Sequence, residues 1–211
     1  MAADQNIVFN NKMYGKPANL KEAELLIKNM RGSNSIFAYT GNALILADKD
    51  KILKAQRIIF PGQGHFAQAM NNLDKKGLIP VIKECCENQI PFLGICIGLQ
   101  ILFERSEEAP GVEGLGILKG EVKKFTQGKI PQIGWNKVVP TAINKYLIED
   151  YFYYVNSYYV VPENENIISA YTNYNEKFCA SVQSESVTAV QFHPEKSSSA
   201  GLTFFKNWLN G

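Results

Sequence analysis

The chain has 211 residues, of which 45% are hydrophobic and 20% charged, and its 22 Lys and Arg against 20 Asp and Glu leave a formal charge of +2. These proportions suit a soluble globular domain that can bury a sizeable core, and they exclude a disordered chain or a collagen-like repeat. With no basic run and no apolar stretch near the ~20 residues that span a bilayer, neither nucleic acid nor a membrane is an expected partner.

The first residues, Met1-Ala2-Ala3-Asp4, lack the basic start and apolar stretch of a signal peptide, and none of the four Cys forms a Cys-x-x-Cys pair. A cytoplasmic protein with reduced thiols is expected. Residues 7–9 read as a short strand, and 20–30 as a helix with Leu20, Ala23, Leu26, Ile27 and Met30 at helical spacing. Short strands are predicted at 35–39 and 43–46. A strand at 57–60 stops at Pro61-Gly62-Gln63-Gly64. Helices follow at 66–73, where Phe66, Ala69, Met70 and Leu73 share a face, and at 78–87. A strand at 91–95 and an Ile- and Leu-rich helix at 96–103 complete this half. Strand–helix alternation of this kind predicts a parallel sheet with helices on both faces.

The second half changes character. Gly-rich turns separate Val- and Tyr-rich runs at 115–125, 137–139, 151–161, 167–170, 178–182 and 187–193, which suit an antiparallel addition. The aromatic run at 151–159 reads as a strand with one core face and one wet face. A last helix is predicted at 201–209, with Ser197, Ser198 and Ser199 available for capping. No linker or repeat divides the chain, so one three-layer α/β domain over 1–211 is expected.

Leu93-Gly94-Ile95-Cys96-Ile97-Gly98-Leu99-Gln100 places a Cys where a strand hands over to a helix, with Gly two positions away on either side. This is the pattern of a nucleophile elbow with Cys in place of Ser. The glycines allow a tight turn that a Cβ would obstruct. A helix start also offers unpaired N–H groups and the positive end of the helix dipole, both of which favour a reactive thiolate. Cys85, Cys86 and Cys179 lack flanking glycines and read as core residues.

A thiolate enzyme needs a base, and the chain has only two histidines. His65 follows the Pro-Gly-Gln-Gly turn and reads as a structural residue. His193 lies in Gln191-Phe192-His193-Pro194-Glu195, where Pro194 pushes it into an extended conformation. Residues two apart in an extended chain project to one side, so Glu195 can orient the imidazole of His193. Donors for a developing oxyanion are expected from the Ile97 N–H and from the turn that contains Gly62 and Gly64. That turn lacks the Gly-Lys-Ser/Thr ending of a phosphate-binding loop. No metal or cofactor is implied.

Gly94-Ile95-Cys96-Ile97-Gly98-Leu99-Gln100 together with His193-Pro194-Glu195 resembles the class I (triad) glutamine amidotransferases. Residues 102–108, Gly114-Leu115-Gly116, Ile133-Gly134-Trp135-Asn136 and 191–198 are similar to the glutaminase subunits of imidazole glycerol phosphate synthases, which serve histidine biosynthesis. The resemblance implies the three-layer fold of that family, with a mostly parallel central sheet, helices on both faces and an antiparallel addition. It implies that Cys96 attacks the glutamine amide, His193 is base and then acid, and Glu195 orients it. Gly62 and Gly64 would belong to the oxyanion strand. Gln100, Glu108, Ser157 and Tyr158 match positions that hold the glutamine amino and carboxylate groups.

Trp135, Tyr153 and Lys196 match positions facing a (β/α)8-barrel cyclase subunit in a heterodimer. There ammonia would react with the nucleotide PRFAR to give imidazole glycerol phosphate and AICAR. The chain departs from the family pattern in three places. Met13 to Leu20 only partly matches the usual opening run, Asn156 replaces the His before the Ser-Tyr pair, and Gln132 replaces the His of Pro-His-Met-Gly-Trp-Asn. The alternatives are a paralogue that feeds ammonia to another acceptor such as a sugar, a γ-glutamyl hydrolase or peptidase using the same thiolate, and a non-catalytic binding module.

Overall fold

The computed structural model describes residues 7–9, 12–14 and 49–211. Strands β1 (Ile7–Phe9) and β2 (Lys12–Tyr14) pair antiparallel as a separate ribbon. The first strand of the sequence reading is therefore present, but it joins its own small sheet. The elements expected at 20–30, 35–39 and 43–46 lie outside the described residues.

Helix α1 (Lys49–Leu53) leads to β3 (Ile58–Phe60), then to helices α2 (Phe66–Lys75) and α3 (Ile79–Glu87). Strand β4 (Phe92–Ile95) follows and turns at once into the single-turn helix α4 (Ile97–Gln100). Next come β5 (Arg105–Ser106), β6 (Gly120–Lys124), β7 (Gln132–Pro140), β8 (Asp150–Asn156) and β9 (Tyr158–Pro162). Strands β10 (Ile168–Tyr174), β11 (Glu176–Ser184) and β12 (Val187–Val190) precede the closing helix α5 (Ser198–Asn210).

Among the described residues, ten strands form one mixed sheet with the path β3-β4-β12-β11-β10-β7-β8. Its parallel part is β3, β4 and β12, with Phe60 opposite Gly94 and Ile95 opposite Val190. From β12 outward the path is antiparallel, and an antiparallel side branch runs from β11 through β9 to β6, to which the short β5 adds in parallel. The antiparallel addition is thus the larger part of what is described.

Strand β4 shows why the layers form. Its four residues are all buried, and successive side chains leave opposite faces. Phe92 joins Phe66, Met70 and Leu73 of α2 and Ile82 of α3 in one core. Leu93 and Ile95 join Phe192 and the Phe204 and Trp208 of α5 in the other. Helices therefore cover both faces of the parallel strands.

Several boundaries differ from the sequence reading. The helix expected over 96–103 ends after one turn, because the carbonyls of Ile101, Leu102 and Phe103 accept from the N–H groups of Leu115, Leu118 and Gly116. The run at 151–161 divides at Ser157, since β8 pairs with β7 and β9 pairs with β6. Strand β6 begins only at Gly120, and β7 spans nine residues rather than three. The strand at 187–193 leaves the β11 ladder after Val190, so that His193 can reach Tyr153. Helix α5 starts at Ser198, and Ser197 makes no side-chain capping bond. The expected alternation of the aromatic run is observed, with Phe152 and Tyr154 buried and Tyr151 exposed.

Candidate active site

Cys96 sits between the last residue of β4 and the first of α4, with φ of 54° and ψ of −106°. A non-glycine residue rarely holds such a backbone, and this one is kept by its surroundings. The Cys96 N–H donates to the Val190 carbonyl at 2.8 Å, tying the turn to β12. The glycine expectation is met in atomic terms. A Cβ on Gly94 would lie 2.5 Å from the Gly98 carbonyl oxygen, and one on Gly98 would meet the Phe60 carbonyl oxygen.

The two turns predicted to meet do so. A Cβ on Gly62 would lie 2.6 Å from Cγ2 of Ile97, so the turn after β3 packs directly on the elbow. The Ile97 N–H is the first of its helix, where no intrahelical acceptor exists. Gly64 has a φ of 145° and open space around it. His65 is exposed and caps α2, its Nδ1 accepting from the Ala67 N–H at 3.2 Å, which fits the structural role expected for it.

His193 Nδ1 and Glu195 Oε1 lie 2.7 Å apart. His193 is itself extended, as Pro194 predicts, but Pro194–Lys196 then form a 3-10 turn, and that turn rather than an extended run brings Glu195 to the ring. The His193 ring is 1% exposed. Burial alone pulls the imidazole pKa down. The Cys96 sulfur and the Glu195 carboxylate outweigh that effect and push it up to about 9. The other ring nitrogen, Nε2, has no hydrogen-bond partner, while Cys96 Sγ accepts from Gln191 Nε2 at 3.6 Å. At rest, then, the nearby sulfur raises the imidazole although Nε2 makes no hydrogen bond of good geometry, a common state before substrate arrives.

A cavity of about 270 Å³ opens beside the sulfur, lined by Cys96, Ile97, Gln63 and Gly64 together with Pro131 and the end of β8 and start of β9. All four residues matched to the substrate groups line it: Gln100, Glu108, Ser157 and Tyr158. Glu108 Oε2 accepts from the Phe66 N–H at 2.7 Å, which places its carboxylate at the positive end of α2. Gln100 Nε2 donates to Gln191 Oε1 at 3.0 Å and to the Tyr158 carbonyl at 3.3 Å. A cavity with a carboxylate on one wall and amide and N–H donors on another suits a small zwitterion.

The residues matched to a partner face gather at the base. Trp135 is 52% exposed, stands opposite Tyr153 in the ladder, and meets its ring edge-on at 6.1 Å. Lys196 is half-buried in the turn after His193. Three polar residues were given no part in the site by sequence reasoning. Gln191 contacts the sulfur, and Asn156 lines the cavity. Ser197 Oγ accepts from the Tyr153 N–H and donates to the His193 carbonyl. A glutamine inside the apolar run 187–193 was the available signal for the first. Cys85, Cys86 and Cys179 are buried, and burial raises all three thiols, Cys86 to about 11, so they remain protonated core residues.

The model of the family described as glutamine amidotransferase class-I matches residues 26–210. A solved structure described as a glutamine amidotransferase covers 92% of this chain and 96% of its own, with a TM-score of 0.64 at 17% identity. PurLQS from Thermotoga maritima gives a TM-score of 0.57 at 19% identity, over 74% of this chain and 79% of its own. These two likenesses concern the fold. The chain belongs to the class I glutamine amidotransferase family. The imidazole glycerol phosphate synthase subunit HisH of Moorella thermoacetica is 46% identical over 166 residues, 76% of this chain and 79% of the relative. HisH 1 of Methanococcus maripaludis is 40% identical over 181 residues, 81% and 88% of the two chains. Within the family, the sequence groups with these HisH subunits.

Proposed function

We propose that this chain is the glutaminase subunit of an imidazole glycerol phosphate synthase, releasing ammonia from glutamine for histidine biosynthesis. The observation that carries the reading is the cavity in which Cys96 shares walls with Gln100, Glu108, Ser157 and Tyr158. Glu108 receives the substrate ammonium group. Gln100, Ser157 and Tyr158 complete the hold on its amino and carboxylate ends.

Cys96 Sγ, whose proton the His193 imidazole has taken as base, attacks the carboxamide carbon as a thiolate, and the carbonyl oxygen takes up the charge. The Ile97 N–H and an N–H of the turn at Gly62 and Gly64 face that oxygen, and the open space at Gly64 lets its peptide rotate toward the site. His193, protonated through neutral pH because its pKa is held near 9, gives its proton to the departing nitrogen. The C–N bond breaks, ammonia leaves and a γ-glutamyl thioester remains. The neutral imidazole then takes a proton from water as its oxygen attacks the thioester, which releases glutamate and restores the thiolate and imidazolium. Glu195, bonded to Nδ1, holds the ring through both transfers.

The ammonia passes to a (β/α)8-barrel cyclase subunit in a heterodimer, where PRFAR is its acceptor. Trp135, Tyr153 and Lys196 face that partner. The site is one for a cytoplasmic enzyme, and no described helix is long and apolar enough to cross a membrane.

The test uses the complex with its cyclase. Cys96→Ala abolishes glutamine-dependent synthesis while added ammonium still supports it. Loss of the ammonium-dependent reaction with the cyclase intact overturns the assignment. Labelling of Cys96 by a glutamine-like electrophile, blocked by glutamine and not by peptides, separates this reading from a peptidase.

A further inference from the structure

Gln132 and Asn156 stand opposite one another in the β7–β8 ladder, so their side chains leave the same face of the hairpin. That face is the inner one, and the two residues are 2% and 5% exposed. Each keeps its side-chain carbonyl oxygen, Oε1 of Gln132 and Oδ1 of Asn156, buried and without a hydrogen-bond partner. Two orphaned acceptors side by side are rare in a folded protein unless something brings donors to them.

The orientation of Asn156 is set by its other atom. Its Nδ2 donates to the Tyr158 carbonyl at 2.9 Å, and exchanging nitrogen for oxygen would set two acceptors against each other. Oδ1 is therefore the orphan. Asn156 lines the cavity that holds Cys96, and so do Pro131 and Val155, the neighbours of this pair along the chain.

Donors stand beside the sulfur: Gln191 Nε2, which donates to it at 3.6 Å, and the Ile97 N–H, next to it in the chain at the start of α4. A primary carboxamide carries one oxygen and one NH2 group, which need opposite partners. Donors beside the elbow suit the oxygen, and the unpaired acceptor of Asn156, a lining residue of the same cavity, suits the nitrogen. We infer that Asn156 Oδ1, backed across the ladder by Gln132 Oε1, is the acceptor site for the amide nitrogen of the substrate and makes the cavity choose glutamine over glutamate. The inference rests on the glutaminase reading above. Glutamate offers a carboxylate oxygen where the NH2 would sit, which leaves both acceptors unpaired and sets like charges together.

The experiment measures binding of glutamine and of glutamate by calorimetry, with Cys96→Ala in the cyclase complex to prevent turnover. Adding Asn156→Leu, close in volume and without an acceptor, lowers the glutamine-to-glutamate affinity ratio about tenfold. Gln132→Met lowers it by a smaller factor, and Asn156→Asp keeps or raises it. An unchanged ratio in folded Asn156→Leu overturns the inference and leaves the two oxygens as seats for trapped water. Should Asn156→Leu fail to fold, the other two variants decide: a fall in Gln132→Met without a fall in Asn156→Asp supports the acceptor pair, and any other pattern overturns it. Glutamine turnover by the unaltered complex is measured alongside. Its absence overturns the glutaminase reading, whereas normal turnover with an unchanged ratio overturns this inference alone.

Discussion

Tyr153 and His193 form an isolated antiparallel bridge, with the His193 N–H donating to the Tyr153 carbonyl at 2.8 Å. Ser197 closes the same link from the other side, accepting from the Tyr153 N–H at 3.0 Å and donating to the His193 carbonyl at 2.6 Å. The backbone of the proposed base is thus bolted to β8, whose outer face carries Tyr151. Ser197→Ala removes the acceptor of a buried N–H, and an unfolding free-energy loss of about 1–3 kcal/mol is expected. Steady-state kinetics with glutamine should show kcat falling at least tenfold with KM little changed, since Ser197 does not line the cavity.

The raised pKa of His193 makes stability depend on pH. The folded state favours the imidazolium, so its contribution is complete below the ordinary value of 6.5 and is lost as pH rises toward about 9. The full contribution amounts to about 3 kcal/mol. Glu195→Gln removes the carboxylate that helps hold the proton. Urea unfolding at pH 6 and pH 9.5 should show a larger difference between the two pH values for the unaltered protein than for Glu195→Gln. With only two histidines in the chain, proton NMR of their ring resonances reads the titration of His193 directly.

Gly98→Ala tests the elbow. A Cβ there meets the Phe60 backbone carbonyl, which belongs to a paired strand and cannot step aside as a side chain would. A destabilisation of about 1–3 kcal/mol is expected, together with loss of thiol labelling by a glutamine-like electrophile. Gly64→Ala provides the contrast, because nothing lies within 4 Å of the added atom and only its φ of 145° is unfavourable. Its cost should fall mainly on kcat, through the peptide that must rotate.

Trp135→Ala addresses the partner face. Ile133, Trp135 and Tyr151 expose 62%, 52% and 55% of their surfaces on one side of the β7–β8 hairpin. Truncating a large aromatic at the centre of a docking face costs about 2 kcal/mol or more of binding, so affinity for the cyclase measured by calorimetry should fall at least thirtyfold. The melting temperature of the isolated subunit should move little.

Much of the site was legible because its requirements are local. A tight strand-to-helix turn needs glycines near the nucleophile, and Gly94 and Gly98 show it in the sequence. The proline after His193 keeps that residue extended, whereas the 3-10 turn at Pro194–Lys196 that swings Glu195 to the ring is not announced by the spacing. Other features depend on contacts between distant segments. The helix after Cys96 stops early because residues 115–118 capture its carbonyls, and nothing within 96–103 announces that. Ser197 looked like a helix cap, yet Tyr153, 44 residues away, claims its hydroxyl. Gln132 and Asn156 stood out only as departures from a motif, and their shared burial follows from the β7–β8 register.

The bond from the Cys96 N–H to Val190 has a consequence for how the enzyme wears under stress. The sulfur and the imidazole hang from neighbouring rungs of one zipped ladder, Cys96 one step past Ile95 and His193 three steps past Val190. Fraying at the separate β1–β2 ribbon leaves their separation untouched, whereas release of β8 would free the His193 backbone. Amide hydrogens at Cys96 and Gln191 should therefore be among the last to exchange with deuterium, and heat should abolish catalysis when the β4–β12 pair parts or β8 releases His193.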